Sequence, residues 1–178
     1  MARKKLTPRG RALHWLTKHR GIAEDPPGSN SDHRKDGIAA AQRRLANGAA
    51  FLDHAPWCGV WAASALLHAG VKGVTSRLAS VAFIEDDARA HRAPFRGWVQ
   101  VGDKRWRRRV KRGDLVVLFG RGVHVGTVRA VFLRWVLTSE GNTSPGRTGS
   151  QDNGGVSANR WRSLSDVHGF ALVKYPKR

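Results

Sequence analysis

The stretch from His54 to Gly70, HAPWCGVWAASALLHAG, holds Cys58, the single cysteine of a 178-residue chain. A thiol attacks well only as the thiolate, and that form is favoured by the partial positive charge of a helix N-terminus or by a nearby imidazolium. Cys58 directly follows Pro56 and Trp57, where such a helix is expected to begin. The alternative is a small buried hydrophobe, the usual fate of a lone cysteine. A base within reach decides between them.

Of the eight histidines, His14, His19, His33, His54, His68 and His91 fall in helical, polar or loop segments. His124 opens an alternating segment, GVHVGTV, in which it shares a face with Gly126 while Val123, Val125 and Thr127 face the other way. A glycine beside an imidazole leaves room for another backbone or a substrate. A histidine on a solvated sheet face is the competing reading, and His168, at the start of the final apolar segment, is the second candidate base. A third group must orient the ring so that the right nitrogen faces the sulfur. Glu140 ends the next strand-like segment, FLRWVLTSEGN, so neighbouring strands bring it beside His124; taken singly, it is a solvent-facing strand end.

The elements that must position these groups are helices first and strands later. Thr7 to about His19 reads as a helix with Thr7 as N-cap, Pro8 in the first turn and Ala12, Trp15 and Leu16 on one face, stopping at Gly21. A Pro- and Gly-rich loop, EDPPGSNSDHRKDG, precedes a short helix over Ile38–Leu45, and Trp57–His68 is apolar almost all round, as suits a central helix. After a further helix near Thr75–Asp87, the segments GWVQV, DLVVLFG, VHVGTVRAVF, RWVLTSE and GFALVKY have strand character. That segregation predicts an α+β fold in which a C-terminal antiparallel sheet or small barrel packs on the cysteine helix. EGNTSPGRTGSQDNGGVSANRW reads as a long flexible hairpin connection, one wall of a cleft whose other wall is the loop from Pro26 to Asp32. Arg147 and Arg160 are then candidates for holding substrate carboxylates.

Composition limits the rest. The chain is expected to form one domain over 1–178, a basic helix over 1–20 leading a core over 21–178, and with 40% hydrophobic residues and seven Trp it can bury that core. One cysteine excludes an internal disulfide and Cys-x-x-Cys metal sites, and neither a metal nor a cofactor is expected. No apolar run of signal-peptide length follows the basic N-terminus, and the long stretch without formal charge from Ala55 to Val71 has 17 residues with Pro56, Gly59 and Gly70 inside it. A buried helix fits it better than a membrane span.

The 32 Lys and Arg outnumber 13 Asp and Glu, giving a net charge of +19. Such an excess says little about fold and much about partners: nucleic acid, an anionic cell wall or a lipid surface. Seven of the nine residues from Lys104 to Arg112 are basic, interleaved with Trp106 and Val110. That pattern predicts an edge strand or loop with arginines outward, either a solvated face or an electrostatic capture surface.

Four segments carry a resemblance: PGSN (Pro27 to Asn30), APWCGVW (Ala55 to Trp61), RGDLVVLFGRGVHVGTV (Arg112 to Val128) and EGNTSPGRTGSQDNGGV (Glu140 to Val156). Together, from about Gly21 to Tyr175, they resemble bacteriophage members of the CHAP and NlpC-type superfamily of papain-like cysteine peptidases, peptidoglycan hydrolases common as endolysins and virion-associated lysins. The resemblance implies a papain-like fold with Cys58 as nucleophile, His124 as general base and then acid, Glu140 as the orienting group, and Asn142 supporting the imidazole or the oxyanion. The backbone N–H of Cys58 is the expected oxyanion donor. The chain departs from the pattern in having only His54 and Trp57 near the cysteine where relatives carry Gln or Tyr, and in lacking a separate wall-binding domain.

The expected function is therefore hydrolysis of a peptidoglycan amide, as a cysteine endopeptidase or an N-acetylmuramoyl-L-alanine amidase. The enzyme is expected to be a monomer, held in the host cytoplasm until lysis or carried in the virion, and drawn to an anionic wall or membrane surface. An amidase or transferase acting on another acyl donor stays open. So does a rival of a different class, a catalytically inactive papain-like fold that binds nucleic acid through its basic residues and Trp98, Trp106, Trp135 and Trp161. No helix-turn-helix, zinc-finger or RNA-recognition signature supports that rival.

Overall fold

A computed structural model describes residues 5–144 and 155–177 of the chain. Arg147 lies outside the described residues. Helix α1 spans Pro8–Lys18; the Thr7 hydroxyl accepts from the Gly10 N–H at 2.9 Å, and Pro8 occupies the first turn, where its missing N–H costs nothing. Ala12, Leu13, Trp15 and Leu16 form its buried face. Helix α2 is Ile38–Leu45 and helix α3 is Cys58–His68.

In α3 nine consecutive residues, Cys58 to Leu66, are buried, because α1 and α2 cover one side and the sheet the other. Small residues let those neighbours approach. A Cβ on Gly59 would stand 2.3 Å from the Ala79 carbonyl oxygen, so the first turn of α3 lies directly on the backbone of a 3₁₀ turn, Ser76–Ala79. The helix expected near Thr75–Asp87 is thus divided between that turn and α4, Val81–Arg89.

Six strands, β1 (Phe95–Val99), β2 (Leu115–Leu118), β3 (His124–Phe132), β4 (Trp135–Thr143), β5 (Val156–Ser163) and β6 (Val167–Val173), form one sheet in the order β1-β6-β2-β3-β4-β5. All pairings are antiparallel. The architecture is α+β, five helices packed around this sheet among the described residues. One core joins α1 to α4 with Leu115, Val117, Val125, Ala171 and Val173. A second, on the opposite face, gathers Val116, Leu118, Val128, Val136, Phe170 and Leu172. Burial on both faces is why LVVL reads as an unbroken apolar run.

Two expectations are corrected. The basic segment is neither strand nor loop at its centre: Trp106–Arg109 forms a single helical turn, α5. Trp106 and Val110 stand four apart, the spacing of one helix face, and plug the second core, with Trp106 stacked on Phe170 at 5.4 Å. The long connection after Glu140 also contains β5, which pairs with β4 from Trp135↔Ser163 to Thr143↔Val156. Its residues are largely polar because β5 is the edge strand of the sheet; among the described residues its other side meets only the segment 21–24, through a bridge between Ala23 and Val156 and the backbone hydrogen bonds around it.

Asp114, the acid of the Gly-Asp pair before β2, is fully buried. It accepts the Lys111 N–H at 2.8 Å and the Val173 N–H at 3.1 Å, with Arg9 and Arg96 each at 3.6 Å. Burial raises its pKa, opposed by those partners. Its role is to tie β2, β6 and α1 together.

Candidate active site

Cys58 is the first residue of α3 and is 4% exposed. Its segment is held from behind by four hydrogen bonds. The indole N–H of Trp57, the N-cap residue, donates to Glu24 Oε1 at 2.9 Å, and Glu24 Oε2 accepts the Gly28 N–H at 2.7 Å. Gln42 Nε2 donates to both the Asn30 carbonyl, at 3.0 Å, and the Ala55 carbonyl, at 2.9 Å. The PGSN loop and the PWC segment are therefore one cross-linked unit, with His54 Nδ1 2.8 Å from the Ser29 carbonyl as a further tie.

His124 opens β3 and is 1% exposed. Its Nε2 lies 3.0 Å from Glu140 Oε2. Its Nδ1 is buried without a hydrogen-bond partner, and Cys58 is the group that acts on the ring beyond Glu140. The Cys58 side chain is thus a close neighbour of the ring. Burial by itself would strip a proton from His124. The Cys58 thiol and the Glu140 carboxylate outweigh it and raise the pKa from 6.5 to about 9.

Glu140 is fully satisfied. Arg162 grips it with two donors, Nε to Oε1 at 2.8 Å and Nη2 to Oε2 at 2.5 Å, and the Thr138 hydroxyl donates to Oε1 at 2.5 Å. Burial alone would push this carboxyl up, but Arg162 and then His124 hold it well below the usual carboxylate range. Gly126 stands across from Glu140 in the strand register. The room this glycine leaves beside the imidazole is taken by the glutamate itself, since a Cβ at 126 would lie 2.9 Å from Glu140 Cγ and 3.2 Å from Thr138 Cβ.

Cys58, His124 and Glu140 are thus brought together. Asn142 stands at φ 50°, in the irregular pairing between Glu140 and Thr143, and its Nδ2 donates to Asn30 Oδ1 at 3.3 Å. That bond links the strand end to the PGSN loop. His168, the second candidate base, is engaged elsewhere, 3.1 Å from Glu85 on α4. Arg160 donates to the Ser144 carbonyl. Trp57 is unsuited to an oxyanion role because its N–H is committed to Glu24.

Arg162 is the residue the sequence reading missed. The signal was the alternation Ala158, Arg160, Arg162 against Asn159 and Trp161, a period of two hidden in a segment read as loop. Its guanidinium also lies 5.1 Å over the ring of Phe119, an exposed residue at φ 62° beside His124. Among the described residues no three His, Cys, Asp or Glu side chains are grouped to hold a metal ion. No helix among the described residues is long and apolar enough to cross a membrane.

The chain matches no known protein family, no functionally characterised protein and no solved structure.

Proposed function

We propose that this protein is a papain-like cysteine hydrolase of peptidoglycan. The observation that carries the reading is the ordered series at one site: a cysteine at a helix N-terminus, a buried imidazole beside it, and a buried carboxylate behind the imidazole, locked by arginine. A series of this kind serves acyl transfer, because the imidazolium beside the sulfur favours the thiolate and supplies the proton the leaving group needs. The substrate class rests on the resemblance of the motifs around Cys58, His124 and Glu140 and on the charge of +19, which suits an anionic wall.

In this mechanism the Cys58 thiolate attacks the carbonyl carbon of a wall amide, and the developing oxyanion meets the free N–H groups at the start of α3. His124 gives its proton to the leaving nitrogen, the C–N bond breaks, and a thioester remains on Cys58. Water then attacks the thioester with neutral His124 taking its proton, and the carboxylic acid leaves while the thiolate and imidazolium return. Glu140 keeps Nε2 protonated and Nδ1 turned to the sulfur.

Incubating the protein and its Cys58→Ala variant with purified peptidoglycan, followed by mass spectrometry of the released ends, tests the proposal. New ends from the wild type alone support it, and their identity separates endopeptidase from amidase. Absence of new ends from walls of several bacterial types overturns it.

The nucleic-acid reading is less well supported, since Trp106 lies in the core and Trp98 is partly buried against His168. Only Trp135 and Trp161 of its four proposed stacking residues are exposed.

A further inference from the structure

The far end of the sheet carries a surface that the chemistry at Cys58 does not use. The turn joining β3 to β4 has two residues, Leu133 and Arg134. Leu133 has φ 47°. A tight hairpin turn with positive φ at its first central position ordinarily carries glycine, asparagine or aspartate, because a branched side chain there is strained. Leu133 is nevertheless 66% exposed, and Phe132 beside it 62%. Neither the turn nor the core requires an apolar side chain at this point.

The patch extends along one face. Phe132 pairs with Trp135, Ala130 with Leu137, and Leu137 with Trp161, so these side chains share the face that α1 to α4 cover nearer the site. Beyond the helices, Trp135 and Trp161 are 48% and 56% exposed. Among the described residues nothing covers them.

The rim is basic. Arg107 of α5 donates to the Leu133 carbonyl, which joins the segment from Lys104 to Arg112 to the hairpin tip. Arg134 lies in the turn itself, and between Asp114 and Glu140 the sequence has no acidic residue. An apolar tip flanked by tryptophans and backed by arginines has the composition of a segment that enters the headgroup region of a bilayer. A stacking platform for nucleic acid has no use for an exposed leucine and phenylalanine at its leading point.

We propose that the tip Phe132–Trp135, with Trp161 and the arginines of α5, is a docking surface for an anionic lipid bilayer. Since β3 is nine residues long, the tip lies about 25 Å from His124, so docking there leaves the cysteine site free. Binding through this surface would hold the protein at the membrane whatever Cys58 does.

The test is partition of the full chain, carrying Cys58→Ala, onto phosphatidylglycerol-containing and pure phosphatidylcholine vesicles. Leu133→Gly is the informative variant: it keeps the charge and relieves the strained φ, so it folds at least as well. The expected result is preference for the anionic vesicles, a loss of about tenfold with Leu133→Gly, and a comparable loss with Trp161→Ser. At about 0.5 M salt the unsubstituted tip should still bind measurably better than Leu133→Gly, since the apolar part is not screened. Equal partition of Leu133→Gly and its parent would overturn the proposal as simple charge adsorption. So would acrylamide quenching of the exposed tryptophans that a single-stranded oligonucleotide or a soluble glycan strand suppresses and vesicles do not.

Discussion

Gly126 and Glu140 face each other directly across β3 and β4, and the glutamate lies over the glycine on its way to His124. The third group of the site therefore depends on an absent side chain. Gly126→Ala puts a methyl 2.9 Å from Glu140 Cγ and 3.2 Å from Thr138 Cβ, so the glutamate must shift. Hydrolysis should fall by about 10- to 100-fold while the fold survives, measured as turnover of soluble wall fragments alongside thermal melting.

In the proposed mechanism Arg162 positions the carboxylate rather than touching substrate. Arg162→Met leaves Glu140 buried with its two strongest donors gone, and the cost should be about 3 kcal/mol in stability. A loss confined to folding would show only in the melting curve. The positioning role predicts in addition that the pH profile of turnover narrows at its alkaline end, as His124 loses the support of a fixed carboxylate, with partial rescue in Arg162→Lys.

Proton linkage gives a third prediction. The pKa of His124 is raised from 6.5 to about 9, so its contribution to stability is complete below pH 6.5 and is lost as pH rises through about 9. Glu140, shifted downward, contributes above the ordinary carboxylate range and loses that contribution only in acid. Denaturant unfolding between pH 6.5 and 9 should show stability falling by a few kcal/mol in the wild type. The fall should be smaller in Cys58→Ala, which removes the strongest of the groups that hold the proton on the ring.

Much of the candidate site was legible because its residues sit at element ends. Cys58 is at the start of α3, His124 at the start of β3, and both boundaries are marked locally, by Pro56-Trp57 and by Gly120 and Gly122. Thr7 with Pro8 likewise marked α1. Arg162 was not legible, because edge strand β5 takes its stability from pairing with β4 and keeps a polar composition that propensity assigns to loops. The turn at Trp106 was misread for a related reason: its strand-like alternation of basic residues hid an i, i+4 apolar pair whose partner, Phe170, is 64 residues away in sequence.

Gly59 tests the seating of the helix that carries Cys58, the proposed nucleophile. Gly59→Ala forces a methyl to within 2.3 Å of the Ala79 carbonyl oxygen and 2.6 Å of that of Leu78, both backbone atoms. The start of α3 must shift, so the variant should lose about 1–3 kcal/mol and most of its activity together. Urea unfolding and turnover measured on one preparation check both.

The most direct measurement of the central claim is a rapid acid quench of the protein with soluble peptidoglycan fragments, followed by mass spectrometry of its peptides. The account predicts a transient acyl adduct on the one cysteine-containing peptide, absent in Cys58→Ala, which should also release no fragments. Fragment release by Cys58→Ala at the wild-type rate, with no adduct in either protein, would contradict it.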